Sequence, residues 1–133
     1  VSGSAGFVVY LIGAFISGIT AAHIPNAIVP TLVFVTGALM AFATGSSWGT
    51  FAIMIPIVVP MAAASVIPMN ILVAAMLSGA IMGDHCSMIS DSTVMASAFS
   101  GCDNVKHFRT QLPYALISAG AAAVLYLITG FVM

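Results

Sequence analysis

Charge is what this sequence most lacks. Only 4% of its 133 residues are Asp, Glu, Lys or Arg, and the first 83 contain none of them. Soluble domains carry about 25% charged residues, and a surface this poor in them cannot be solvated. With 62% hydrophobic side chains and a mean hydropathy of +1.22, the chain reads as an all-α integral membrane protein, a polytopic helical bundle. The net charge of −1 carries no message about anionic partners, and no nucleic acid is expected. Cysteine is scarce too. Cys86 and Cys102 form no CxxC pair, which argues against a disulfide framework. The chain starts at Val1, and no basic stretch precedes its first apolar run. Both features speak against a signal peptide and for a C-terminal fragment of a larger protein.

Apolar segments fill most of what is present. Residues 4–22 form an uncharged run of about nineteen residues, enough for one span at 1.5 Å per residue. His23-Ile24-Pro25-Asn26 interrupts it with a turn signature, and His23 reads as a residue of the membrane interface. Residues 27–43 and 51–67 are two further apolar arms joined by Thr44-Gly45-Ser46-Ser47-Trp48-Gly49-Thr50. Hydroxyl side chains and two glycines mark that joint as irregular backbone. Pro56 and Pro60, four apart, bend or break the second arm on one face. Arm length alone leaves two spans and a re-entrant hairpin equally open. Residues 71–82 and 94–100 flank a polar stretch, 83–93. A single straight helix over 71–100 would overrun a ~30 Å hydrocarbon core by about half, so a discontinuous helix unwound near 83–91 is expected. Residues 111–133 form a last span with a small-residue patch, Ala119 to Ala123. The loop 102–110 carries both basic residues, Lys106 and Arg109. The positive-inside rule therefore puts that loop in the cytoplasm and the C-terminus outside.

The polar stretch Gly83-Asp84-His85-Cys86-Ser87-Met88-Ile89-Ser90-Asp91-Ser92-Thr93 holds two of the three acidic residues. Irregular backbone at membrane depth survives only inside protein or beside a water-filled cavity. Transporters place such broken elements around ion sites. A carboxylate at that depth costs ~2.5–3.5 kcal/mol on insertion scales and marks an ion path or a proton relay. Asp84 and Asp91 lie two helical turns apart and share a face if the segment is helical. Carboxylates and hydroxyls are hard oxygen ligands, so Asp84 and Asp91 are the expected Na⁺ ligands. A desolvated carboxylate holds either a proton or a metal ion. That competition couples Na⁺ to H⁺ at one site. Ser90, Thr93, Ser46, Ser47 and Thr50 are expected to add oxygens, and His85 to modulate proton exchange. Asp103 reads as a solvated cap or a salt-bridge partner in the basic loop. A transition-metal site from His85, Cys86, Cys102 and His107 matches no zinc spacing. Trp48 suits an interface belt, and the scattered methionines read as packing residues.

At these stretches the sequence resembles the NhaC-type sodium/proton antiporter family, within the wider ion-transporter superfamily. The resemblance rests on three segments. They are Thr44-Gly45-Ser46-Ser47-Trp48-Gly49-Thr50-Phe51 with Ile55-Pro56-Ile57; Gly83-Asp84-His85-Cys86-Ser87 with Ile89-Ser90-Asp91; and Cys102-Asp103 with Thr110-Gln111-Leu112-Pro113-Tyr114-Ala115-Leu116. It runs from about residue 37 to 118. This chain has Met88 where the family usually has proline, and Ser92 where it has threonine. The resemblance implies a re-entrant hairpin over 27–67 with its tip at 44–50, facing a broken helix over 71–100. Residues 1–133 would then be one transmembrane domain, the second of two inverted repeats. The remainder of the chain would complete the site, with a homodimer as the common assembly. Members exchange Na⁺ for H⁺, for malate and lactate, or for amino acids.

The expected function is therefore secondary antiport of Na⁺ against H⁺ in a cell membrane, multi-pass among lipid. No cofactor is expected beyond the transported ions, and no enzyme activity. The alternatives are a Na⁺-coupled organic-acid or amino-acid exchanger on the same scaffold and, remotely, an intramembrane aspartyl hydrolase. The hydrolase would need a second catalytic Asp on another helix.

Overall fold

The computed structural model describes residues 25–132, so the span expected over residues 4–22 and the interfacial His23 lie outside the described residues. Among the described residues every regular element is helical. A 3-10 turn, Asn26–Ile28, leads into α1 (Val29–Thr44). Pro30 falls in the first turn of α1, where the missing N–H has no helical partner to lose. The helix stops at Gly45, whose φ of 67° is left-handed and whose N–H bonds Ala41 O at 2.8 Å. Ser46 is extended and opens α2 (Ser47–Ala64), its Oγ accepting from the Gly49 N–H at 3.4 Å. The connection is therefore two residues, Gly45 and Ser46, tighter than the seven-residue tip expected. A glycine cap followed by a serine N-cap is sufficient chemistry for it. Pro56 and Pro60 stay inside α2, and each removes one ladder hydrogen bond.

α3 (Met69–His85) and α4 (Asp91–Phe99) follow. The break between them is Cys86–Ser90, narrower than the expected 83–91. Gly83, Asp84 and His85 are still helical because the ladder continues through them: Cys86 N–H bonds Met82 O at 3.1 Å. The break itself is wound into two turns, Ser87 N–H to Asp84 O at 3.1 Å and Ser90 N–H to Ser87 O at 3.4 Å. The helix before the break has 17 residues, about 25 Å, so it is not the short half-helix expected. The loop 102–110 also needs correcting. α5 (Asn104–Val132) starts at residue 104, because Asp103 Oδ1 accepts from the N–H groups of Val105 and Lys106 at 3.0 and 3.1 Å. Asp103 is the cap the sequence suggested, and the basic residues sit on the first turns of a helix. The final helix accordingly begins well before residue 111.

The core lies among α1, α2 and α3, where Phe34, Val58, Leu72, Ala75 and Met76 are buried. α1 and α3 pack backbone to backbone. A Cβ on Gly79 would collide with the Phe34 carbonyl, and one on Gly83 with the Ala38 carbonyl. The two glycines are four residues apart on one helix face, the small-xxx-small spacing that lets helices approach closely. α5 lies outside this core and has no buried residue. It is held by Tyr126, whose hydroxyl meets Ser78 Oγ at 2.8 Å and whose ring lies 5.5 Å from Phe34. At its other end Asn104 receives Ser97 Oγ at 3.3 Å and donates to Met88 O at 3.0 Å. The turn after α4 thus folds back beside the break. Among the described residues two helical stretches, Asn26–Thr44 and Asn104–Val132, are long and apolar enough to cross a membrane.

Candidate functional site

Two irregular joints meet. A Cβ placed on Gly45, in the α1–α2 turn, would lie 2.7 Å from Ile89 Cγ1 and 3.1 Å from the Ile89 carbonyl oxygen. The turn and the break are therefore in van der Waals contact, and only a glycine fits between them. The break also abuts Asn104, at the start of the helix that carries Lys106 and Arg109. Apolar sequence flanks the break along the chain, but in space it adjoins the basic turn of α5.

Asp84 lies one turn before the break and is 8% exposed. Ser90 Oγ donates to its Oδ1 at 2.8 Å, Ser92 Oγ donates to its Oδ2 at 2.8 Å, and the two hydroxyls are 2.7 Å apart. Ser90 is fully buried. The break makes this possible, because it folds residues six and eight positions along the chain back onto the Asp84 carboxylate. Two hydroxyl protons cover only two of the three close oxygen pairs. An ionised carboxylate is acceptor-only, so the third pair is satisfied only if a further proton or a cation joins the ring. The arrangement is thus chemically suited to holding one positive charge, as H⁺ or as a hard metal ion.

The other expected site residues are distributed around this ring. Thr93, 2% exposed, lies in the first turn of α4, and its Oγ1 has no partner among the described residues. His85 is exposed and its Nδ1 lies 2.9 Å from Ile81 O. Asp91 is the exposed first residue of α4, and no hydrogen bond joins it to Asp84 among the described residues. Thr50 is fully buried beneath the α1–α2 turn, its Oγ1 donating to Ser46 O at 3.0 Å. Ser46 and Ser47 are half-buried at the same turn. None of Ser46, Ser47 and Thr50 hydrogen-bonds to the Asp84 ring among the described residues, and no three His, Cys, Asp or Glu side chains gather there as a metal centre. Ser92 is the residue that sequence reasoning missed. The signal was its place in the hydroxyl run Ser90-Asp91-Ser92-Thr93, but choosing it required knowing that α4 restarts at Asp91.

A helical chain with an apolar surface, a tight helix turn against a helix break, and a buried carboxylate ringed by hydroxyls fits a helical membrane protein. Comparison with known sequences makes this more specific: the profile of the Na⁺/H⁺ antiporter family matches residues 8–131, and the chain belongs to that family. It is 44% identical over 121 residues to an uncharacterized protein of Haemophilus influenzae, covering 90% of this chain and 23% of that protein. It is 31% identical to the malate-2H⁺/Na⁺-lactate antiporter of Bacillus subtilis, covering 91% of this chain and 28% of the relative. It is 33% identical to the arginine/ornithine antiporter ArcD of Halobacterium salinarum, covering 93% and 27%. The chain thus spans about a quarter of the length of the curated relatives it matches. No solved structure matches it significantly. The named relatives are transporters rather than enzymes.

Proposed function

We propose that the intact protein exchanges Na⁺ for H⁺ across a cell membrane, with Asp84 as the group that holds either ion. The observation that supports this reading is the Asp84–Ser90–Ser92 ring. Its three close oxygen pairs and two hydroxyl protons leave room for one more positive charge. In the proton-loaded state the carboxyl closes the ring. In the sodium-loaded state the carboxylate and both hydroxyl oxygens turn to the cation, as hard ligands do. The two states exclude each other, and that exclusion is the minimal condition for exchange through one site.

In this reading residues 27–67 are a re-entrant hairpin whose turn at Gly45 closes over the break. Asp91, Ser46, Ser47, Thr50 and Thr93 would complete the cation shell when the missing part of the chain, a first inverted repeat, is in place. The basic start of α5 faces the cytoplasm, the C-terminus lies outside, and the assembly is a homodimer. No cofactor is needed beyond the transported ions.

A second reading is favoured by the names of the Bacillus and Halobacterium relatives. On the same scaffold Na⁺ or H⁺ would be coupled to a small organic acid or an amino acid. One experiment separates the two. Na⁺-driven proton flux is measured in everted vesicles bearing the full-length protein, with and without malate, lactate or arginine. Exchange that needs no added solute, and that Asp84→Asn abolishes, supports Na⁺/H⁺ antiport. Full flux in Asp84→Asn sinks the assignment, and flux that appears only with added solute favours the second reading.

A further inference from the structure

We propose that Asn104 is a positioning residue for the Asp84 ring, acting through the Met88 carbonyl to set the Ser90 hydroxyl. The proposal rests on the antiport reading and assigns a role to a residue outside the ring. Local chemistry returns the chain to the break after the nine residues of α4. Gly101, at φ 61°, ends that helix: its N–H bonds Ala98 O at 3.2 Å, and the Cys102 N–H bonds Ser97 O at 3.0 Å. This pair of bonds around a left-handed glycine reverses a helix end. Asp103 then caps α5, and Asn104 becomes its first residue.

The Asn104 amide bridges α4 and the break. Its Nδ2 donates to Met88 O at 3.0 Å, sixteen residues back. A carbonyl only accepts, which fixes the orientation of the amide. Its Oδ1 therefore faces Ser97 Oγ, 3.3 Å away on a side chain 3% exposed. Ser97 has one hydroxyl proton and a nearer acceptor, Val94 O at 2.9 Å. The bond to Met88 is thus the stronger arm. Among the described residues no backbone N–H reaches Met88 O, so Asn104 is what orients that peptide.

Three consecutive residues of the break have three different neighbours. Met88 is held by Asn104, Ile89 lies against Gly45, and Ser90 donates to Asp84 Oδ1. A peptide unit is planar, so only φ and ψ of Ile89 separate the held Met88 carbonyl from the Ser90 Cα. The turn's own closing bond, Ser90 N–H to Ser87 O, is 3.4 Å, longer than the usual range of roughly 2.7–3.2 Å. It is too weak to set this geometry alone. The two outside contacts set it instead. Without the Asn104 donor the 88–89 peptide is free to turn, and the Ser90 bond to Asp84 weakens. Ser92 is affected less, because it is carried by the first turn of α4.

The test measures Na⁺-driven proton flux over a Na⁺ series in everted vesicles bearing the full-length protein. Asn104→Ala should raise the Na⁺ needed for half-maximal flux about fivefold with maximal flux kept, less than Ser90→Ala does. In the Ser90→Ala background the same change should add less than about twofold, because both act on one bond. Asn104→Asp keeps the shape and the Ser97 acceptor and loses the donor. Its charge alone would attract Na⁺, and an acidic residue favours the start of a helix. A raised Na⁺ midpoint at undiminished melting temperature in this variant therefore reports lost positioning. Gly130→Ala is the comparator. It crowds the Ala27 carbonyl at the far end of α5 and should lower the melting temperature with the Na⁺ midpoint unchanged. A midpoint within about twofold of the parent in both Asn104 variants, an effect fully additive with Ser90→Ala, or an equal shift in Gly130→Ala overturns the proposal. Failure of both Asn104 variants to reach the membrane makes the residue structural and overturns it too. Asp84→Asn separates the two readings. If it keeps full flux, the antiport reading fails; if it abolishes flux while the Asn104 variants match the parent, only the positioning role fails.

Discussion

Each serine of the ring donates one hydrogen bond to Asp84, and a bond to a charged partner contributes about 1.5–3 kcal/mol. Ser90→Ala and Ser92→Ala should therefore each raise the Na⁺ concentration for half-maximal flux by about tenfold or more. Ser92→Thr keeps the hydroxyl and restores the residue that the resembling family usually carries. It should stay within about threefold of the parent, since a retained donor costs little. A flux assay over a Na⁺ series reads all three. At this scale the sequence marks Asp84 as a carboxylate in an apolar context, and the structure buries it under the hydroxyls of Ser90 and Ser92. Asp91 looked its equal and is not joined to it. The heptad spacing that pairs them assumes a continuous helix, and the turns at Cys86–Ser90 turn Asp91 away while bringing Ser90 and Ser92 in.

At the scale of elements, the joints are fixed by glycines and caps. Gly45→Ala places a side chain in a left-handed conformation and against Ile89. It should lower the thermal stability of the purified full-length protein and impair flux together, because the turn and the break are pressed apart. Gly79→Ala and Gly83→Ala drive α1 and α3 apart at the Phe34 and Ala38 carbonyls and should destabilise by about 1–3 kcal/mol, the range for overpacking. Gly49→Ala meets only ordinary contacts with Ser46, and Gly120→Ala meets open space. Both should be tolerated in the same melting assay. Asp103→Ala removes the cap of α5 at a cost of about 1 kcal/mol. The joint between α1 and α2 and the existence of a break could be read from the sequence, since glycine and hydroxyl clusters punctuate apolar runs. The position of the break could not. Unwinding was expected from residue 83 onward, yet Gly83 is a packing glycine inside α3, and only the approach of Ala38 reveals this. The basic segment 104–110 looked like a loop because it is polar, whereas the Asp103 cap makes it helix.

For the whole molecule, the described helices leave much apolar surface open: Trp48 is 78% exposed, Val66 85% and Phe99 85%. Lipid or the rest of the protein must cover it. The orientation proposed for α5 predicts that Lys106→Cys in the intact protein reacts with an impermeant thiol reagent only in everted vesicles, and Val132→Cys only in right-side-out ones. The reverse pattern inverts the topology. The family was legible from motifs on residues 44–57, 83–91 and 102–116. The exchanged solute was not, because relatives with different solutes match this chain at similar identity and the chain is about a quarter of their length.

The most direct measurement is calorimetric titration of Na⁺ into the purified full-length protein, in buffers of different ionisation enthalpy. If Asp84 holds H⁺ or Na⁺ but not both, Na⁺ binding releases protons and its heat follows the buffer. Asp84→Asn should lose both the binding and the proton release. Undiminished Na⁺ affinity with unchanged proton release in Asp84→Asn would contradict the account.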